Sequence, residues 1–219
     1  MRKFRRFYYD VFSHFYDFFI QLHSKDTGSE LRDFLIKKAG ISPGDRVLDI
    51  CTGTGSVTLV AHKVITAKGL VVGLDFSYGM LSKAREKARK KGLSALYLVM
   101  GDVGEMPFKG DVFECSTCSH SMYELESETR MNALNEICRV LKENGRFFMM
   151  EHCKPRNPFI RLLYYVRLMF MGSPENRDFA EDEVPVIKRF FKDVKRELSP
   201  TGKSKLISGV KYFQKQRKF

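Results

Sequence analysis

Apolar and polar positions along this chain fall into two periods. Short, nearly continuous apolar runs at 46–50, 70–75, 95–100, 112–118 and 145–152 predict strands buried on both faces. Between them, apolar residues recur every three or four positions, which predicts helices at 56–66, 77–91 and 127–142. Helix 127–142 carries Met131, Leu134, Cys138 and Leu141 on one side, a stripe suited to a sheet. An earlier helix covers 29–39 and stops at Gly40, and Ser42-Pro-Gly-Asp45 turns the chain into the first strand. Such alternation predicts a mostly parallel sheet with helices on both faces. Two further apolar runs, Val194 to Leu198 and Lys205 to Phe213, flank the hairpin turn signal Ser199-Pro-Thr-Gly202.

Two segments stand outside that alternation. Residues 4–22 are dense in aromatics, and Tyr8, Phe12, Phe15 and Phe19 share one helical face. Residues 154–192 form an insertion between the fifth and sixth strands. Within it Phe159 to Met171 is apolar, with Arg161 and Arg167 interspersed and Lys154 and Arg156 just before. A basic, aromatic, amphipathic helix of this kind suits a membrane interface or a lid over a site. The expected organisation is a helical cap at 1–41 and an α/β domain at 42–219 carrying the 154–192 insertion.

Composition narrows the setting. A chain of 219 residues that is 43% apolar has ample material for one α/β core. Its net charge of +12 points to an anionic partner: lipid headgroups, nucleic acid or an acidic substrate. No apolar run approaches the ~18 residues of a membrane span. Asp10, His14 and Asp17 interrupt the N-terminal segment, so no cleaved signal peptide is expected. Five cysteines, an odd number lying mostly in predicted strands or the glycine loop, argue for a reducing compartment. Cys115 and Cys118 have zinc-like spacing but no second pair, so core packing and no metal are expected. A cytoplasmic protein, peripheral at a membrane surface, is the resulting expectation.

The chemistry gathers at strand ends. Arg46-Val-Leu-Asp-Ile-Cys-Thr-Gly-Thr-Gly-Ser56 runs from an apolar strand through Asp49 into a loop whose Gly53 and Gly55 let backbone approach a ligand closely. Gly69-Leu-Val-Val-Gly-Leu-Asp75 and Ala95-Leu-Tyr-Leu-Val-Met-Gly-Asp102 repeat the pattern, so three successive strands each deliver a carboxylate at the end where parallel sheets bind ligands. Asp75 lies about 20 residues past the loop, the spacing of an acid that holds a ribose diol. The dinucleotide fingerprint wants a third glycine three residues after the second, and Thr58 stands there instead.

Four ordered motifs carry a resemblance: Val47-Leu-Asp-Ile-Cys-Thr-Gly-Thr-Gly55, Gly73-Leu-Asp-Phe-Ser-Tyr-Gly-Met-Leu81, Gly101-Asp-Val-Gly-Glu-Met-Pro-Phe108 and Val140-Leu-Lys-Glu-Asn-Gly-Arg146. From about Asp45 to Pro155 the chain resembles the class I S-adenosylmethionine (SAM)-dependent methyltransferases, within them the ubiquinone/menaquinone-biosynthesis group. The resemblance implies a Rossmann-like seven-stranded, mostly parallel sheet ending in an antiparallel hairpin, with SAM as cofactor. It implies that Cys51, Thr52, Gly53 and Gly55 line the methionyl and ribose parts through backbone, and that Asp49 orients loop amides or the methionine end. Asp75 then takes the ribose hydroxyls, Phe76 and Met80 pack on adenine, Asp102 accepts from the adenine amine, the Val103 amide donates to the ring, and Ser119 lies near the sulfonium. The family has Gly or Ala where this chain has Cys51, and its quinone enzymes carry an Arg/Asn segment where this chain reads Ser119-His-Ser-Met-Tyr-Glu124.

Methyl transfer from a sulfonium asks chiefly for alignment, and some acceptors must also lose a proton. His120, Tyr123, Glu124, Glu151 and His152 all fall at or just past strand ends, with His120 and Tyr123 the first candidates for acting on the acceptor. A small or lipophilic acceptor, either a quinone precursor or a phospholipid amine, suits the basic aromatic flanks. RNA or other nucleic-acid methylation is the alternative that the charge raises, although the Asn/Asp-Pro-Pro-aromatic segment of amino-methylating enzymes is missing. A non-catalytic SAM-binding module is the third reading.

Overall fold

The computed structural model describes residues 30–65, 68–93, 96–153, 179 and 182–212. The aromatic 4–22 segment and the basic 159–171 segment lie outside these residues. The chain divides into two compact units, Met1–Pro107 and Phe108–Phe219.

In the first unit, α1 (Glu30–Ala39) buries Leu31, Leu35, Ile36 and Ala39 along one face. Gly40 ends it in the left-handed region, donating its N–H to the Ile36 carbonyl at 3.2 Å. Strands β1 (Arg46–Ile50), β2 (Leu70–Asp75) and β3 (Leu96–Met100) pair in parallel in the order β3-β2-β1. Their alternation with α2 (Ser56–His62) and α3 (Tyr78–Lys90) follows the predicted pattern. Helix α2 stops short of the expected 66, giving way to tighter turns in which the Lys63 and Val64 N–H groups donate to the Val60 and Ala61 carbonyls three residues back. Ser77 caps α3, its hydroxyl accepting the Met80 N–H at 3.2 Å.

In the second unit, β4 (Phe113–Ser119) and β5 (Leu141–His152) are parallel, and β7 (Ser204–Lys211) is antiparallel both to β5 and to β6 (Phe191–Leu198). Phe147 and Phe191, both fully buried, stack at 5.2 Å between ring centroids. The predicted hairpin forms: Gly202 sits at φ 65 and donates to the Ser199 carbonyl at 2.8 Å. Among the described residues there are seven strands, parallel except where β7 pairs with β5 and β6.

Three sequence expectations shift here. Helix α4 (Ser127–Val140) stops two residues before 142, because Leu141 is already extended and pairs with Phe113. Its buried face is Arg130, Ala133, Leu134, Ile137 and Cys138, so Met131 is only half-buried. Strand β5 begins at Leu141 rather than 145, but its register with β4 jumps from Leu141 to Arg146 around Asn144 at φ 57. Strand β6 begins at Phe191, inside the expected insertion. A register shift near Asp193, at φ 53, breaks the alternation that would have shown it in the sequence. The short helix α5 (Val184–Ile187) precedes it.

Gly55 tests how tightly the first unit packs. It has φ 78, and a Cβ there would stand 2.9 Å from the Ala84 Cβ on α3. Gly55→Ala should cost roughly 1–3 kcal/mol in urea unfolding, combining left-handed strain with overpacking. Gly92 has φ 65, and a Cβ added there would meet only open space. Its alanine variant should lose only the conformational part, about 1 kcal/mol. Equal losses would show that α3 does not press on Gly55.

Candidate functional site

The first unit builds its site at the C-terminal ends of β1, β2 and β3. Cys51, Gly53 and Gly55 all adopt left-handed backbone, at φ 50, 55 and 78, so the loop coils tightly. Buried Asp49 braces it: its Oδ2 accepts the Thr52 hydroxyl at 2.6 Å and the Thr58 hydroxyl at 2.8 Å, and the two hydroxyls also contact each other. The Thr52 N–H donates to the Leu74 carbonyl at 3.0 Å, which pins the loop to the end of β2. Gly73 makes room for this, since a Cβ there would meet Thr52 Cγ2 at 2.9 Å. Lys87 of α3 donates to the Thr54 hydroxyl at 2.8 Å from the other side.

Asp75 closes the arrangement. Its Oδ2 accepts the Gly53 N–H at 2.8 Å and its Oδ1 the Ser77 N–H at 2.9 Å. With 6% of its surface exposed, burial pushes its carboxyl up to about 6 against the lowering pull of those amides, and the Asp49 charge adds to the rise. Asp102 follows β3, half-buried, with Oδ1 accepting the Gly104 N–H at 2.8 Å. Val103 and Met80 are buried, and Phe76 is half-buried. A Cβ at Gly53 would meet no heavy atom within 4 Å, so that stretch of loop backbone is open to a ligand.

The second unit builds a distinct cluster. His120 follows Ser119 at the end of β4 in left-handed backbone, φ 56, its N–H held by the Met150 carbonyl at 2.7 Å. Its Nδ1 lies 3.0 Å from the Ser119 hydroxyl and its Nε2 3.1 Å from the Ser204 hydroxyl, so one serine donates and the other accepts. The ring stacks on His152 at 4.0 Å between centroids. Tyr123, buried in the single turn Met122–Glu124, meets His152 edge-on at 6.3 Å and donates its hydroxyl to Glu124 Oε1 at 3.0 Å. Cys115 and Cys118 are fully buried in β4. Among the described residues, no cluster of His, Cys, Asp and Glu could hold a metal ion, and no helix is long and apolar enough to cross a membrane.

The structure thus brings Asp49 to Thr52, Asp75 to Gly53, and Ser119, His120 and Tyr123 around His152. Sequence reasoning missed Thr58, Lys87 and Ser204. Thr58 carried a signal, as the hydroxyl standing where a dinucleotide fold has glycine. Lys87 lies one helical turn past Ala84, and Ser204 sits 84 residues from its partner, beyond any local pattern.

Against known families, residues 3–180 match the model of the ubiE/COQ5 methyltransferase family. The chain belongs to that family. It is 32% identical over 159 residues to a demethylmenaquinone methyltransferase of Symbiobacterium thermophilum, covering 72% of this chain and 62% of that one. It is 34% identical over 134 residues to a ubiquinone/menaquinone biosynthesis C-methyltransferase of Teredinibacter turnerae, covering 61% of this chain and 53% of that one. The chain therefore spans between half and two thirds of the length of these ubiE/COQ5 relatives. A SAM-dependent methyltransferase structure from Aquifex aeolicus shares the fold, with a TM-score of 0.66 at 20% identity over 88% of this chain and 97% of that one.

The Asp49 brace is directly testable. Asp49→Ala would leave the Thr52 and Thr58 hydroxyls with only each other, and should cost roughly 1–3 kcal/mol in chemical denaturation. A loss within experimental error would mean that the loop holds its shape without this carboxylate.

Proposed function

We propose that the chain is a SAM-dependent methyltransferase whose acceptor is a lipophilic quinone precursor. The observation that carries this reading is the buried Asp75 carboxylate bonded to the Gly53 amide of a left-handed glycine loop. The donor set fits the cofactor. Asp75 accepts the Gly53 amide on Oδ2 and the Ser77 amide on Oδ1, the Phe76 amide bonds it as well, and its remaining acceptor capacity suits a ribose hydroxyl. The open backbone at Gly53 admits the methionyl and ribose parts, Phe76 and Met80 supply apolar surface for adenine, and Asp102 with the Val103 amide offers an acceptor and a donor for its edge. SAM, when bound, supplies a methyl group already activated on a sulfonium.

The chain's own residues then have two tasks, holding the donor and presenting the acceptor. For the second, His120 and Tyr123 position the acceptor or take its proton, and Ser119 and Ser204 fix the His120 ring through both nitrogens. The two relatives, a demethylmenaquinone methyltransferase and a ubiquinone/menaquinone biosynthesis C-methyltransferase, support a quinone-type acceptor over nucleic acid or a phospholipid amine. Such acceptors dissolve in lipid, and a chain of net charge +12 suits peripheral contact with anionic headgroups from the cytoplasmic side.

Two outcomes test it. The diol donates to a carboxylate, so SAM binds the ionised form of Asp75 better. Because that carboxyl is raised to about 6, affinity should climb as pH rises through about 6 and level off above it. Asp75→Asn should flatten the profile and weaken binding by roughly 1.5–3 kcal/mol at neutral pH. Calorimetry across that range reads both, and a pH-independent wild-type affinity would remove the ribose assignment. On the acceptor side, His120→Ala should lower turnover by about 10²–10⁴-fold if it acts as a base. Tyr123→Phe should lower turnover as well, and SAM affinity should hold in both variants. Loss of SAM binding in step with turnover would place these residues in the cofactor site or the core instead.

A further inference from the structure

Next to the histidine stack, the second unit buries more acid than its neighbours neutralise. Glu151 is the penultimate residue of β5 and is 1% exposed. Its Oε1 accepts the Met122 N–H at 2.9 Å, while its Oε2 has no hydrogen-bond partner. Glu183, just before α5, is wholly buried. Its Oε1 lies 2.6 Å from the Lys205 ammonium nitrogen, and its Oε2 likewise has no hydrogen-bond partner.

With both acids ionised, two carboxylates would share one ammonium out of water, a costly arrangement. A single proton removes the excess charge. Burial raises the Glu183 carboxyl too, but there the Lys205 ammonium sits directly against it and favours the charged form. Glu151 has a backbone amide as its hydrogen-bond partner and feels the charges of both Glu183 and Glu124, so the proton belongs there. Burial and those neighbours push its carboxyl well above the ordinary range, with the Met122 amide and Lys205 pulling the other way. The Met122 N–H makes Oε1 the carbonyl oxygen and leaves the proton on Oε2. That hydroxyl is a buried donor with no acceptor, left to pair with a ligand oxygen. It lies at the C-terminal end of β5, the edge at which parallel strands bind ligands.

We propose that Glu151 is an acceptor-binding residue, a carboxylic acid whose Oε2 hydroxyl donates a hydrogen bond to a carbonyl or oxyanion oxygen of the methyl acceptor. The proposal rests on the methyltransferase reading and adds to it the oxygen by which the acceptor is gripped. A neutral acid suits that task better than a carboxylate, which would repel an oxyanion. A donor aimed at developing oxygen charge also stabilises it where water is excluded. The quinone class has such oxygens in plenty.

The test uses the full chain with two probes of one shape, 1,4-naphthoquinone and naphthalene, together with infrared spectroscopy and SAM calorimetry. Wild type should prefer the quinone by roughly tenfold or more. Glu151→Gln, whose amide still donates, should keep that preference, whereas Glu151→Leu should bring the quinone down to the naphthalene level. At neutral pH the wild-type spectrum should show the carbonyl stretch of a protonated carboxyl, which Glu151→Gln removes. The infrared band stands even if the Leu variant fails to fold. The proposal is overturned if wild type shows no quinone preference, if Glu151→Leu keeps it, or if no Glu151-dependent protonated-carboxyl band exists. Failure of SAM to bind, with the band and the preference both present, would overturn the methyltransferase reading and leave the oxygen-binding site standing.

Discussion

The hydrogen bond from the Gly53 N–H to Asp75 is the contact on which the first unit's site depends. The loop that it holds has three left-handed residues in five, one of them Cys51, for which that backbone costs roughly 1–2 kcal/mol. A loop so strained keeps its shape only where the surroundings over-determine it. Here they do. The end of β2 supplies the Asp75 carboxylate and the Leu74 carbonyl, the end of β1 supplies Asp49, and α3 supplies Lys87. The ties come from three different elements, so the loop records the register of β1 against β2, in which Asp49 stands opposite Gly73. The missing side chain at Gly73 is what lets Thr52 fold back over β2.

The second unit solves a different problem with the same strand-end logic. Its polar groups are paired hydroxyls, stacked rings and acids, held by β4, β5 and β7 rather than by a glycine turn. The antiparallel pairing of β5 with β7 sets His152 opposite Ser204 and Glu151 opposite Lys205. That register places a serine for the His120 Nε2, and it supplies the ammonium that pairs with the buried Glu183 carboxyl. One strand register therefore serves both the histidine network and the acid cluster. A one-residue slip of β7 would turn Ser204 and Lys205 to opposite faces and dismantle both together.

The parts of this architecture that are legible in the sequence share a short range. Strands β1 and β2 stand out at their observed bounds because each is a bare apolar run closed by an acid, and α3 stands out because its caps and stripe agree. Asp49, Gly53, Gly55 and Asp75 announce themselves through spacing within a single βαβ stretch. What stays hidden depends on pairing between distant segments or on irregular backbone. The bulge at Asp193 conceals the start of β6, and the turn around Asn144 conceals the early start of β5. Ser204 and Lys205 look like ordinary surface residues until the C-terminal hairpin carries them to the end of β5, where Lys205 also meets Glu183. Thr58 is visible only as a missing glycine, although its hydroxyl is half of the Asp49 brace.

These differences bear on where specificity resides. In the first unit Cys51 stands where the resemblance implies Gly or Ala, and it takes up left-handed backbone at φ 50. The loop's other ties compensate for that strain. The second unit departs more. Ser119-His-Ser-Met-Tyr-Glu124 replaces the Arg/Asn segment of the quinone enzymes, and each of its functional groups has found a partner within the same unit: His120 on Ser119 and Ser204, Tyr123 on Glu124, and the Met122 amide on Glu151. An arginine would bring fixed positive charge to such a place, whereas this segment brings hydroxyls and an imidazole, and β5 adds the buried acid Glu151. On the proposed reading, such groups suit an acceptor that offers oxygens for hydrogen bonds and a ring for stacking, chosen by shape and polarity rather than by charge.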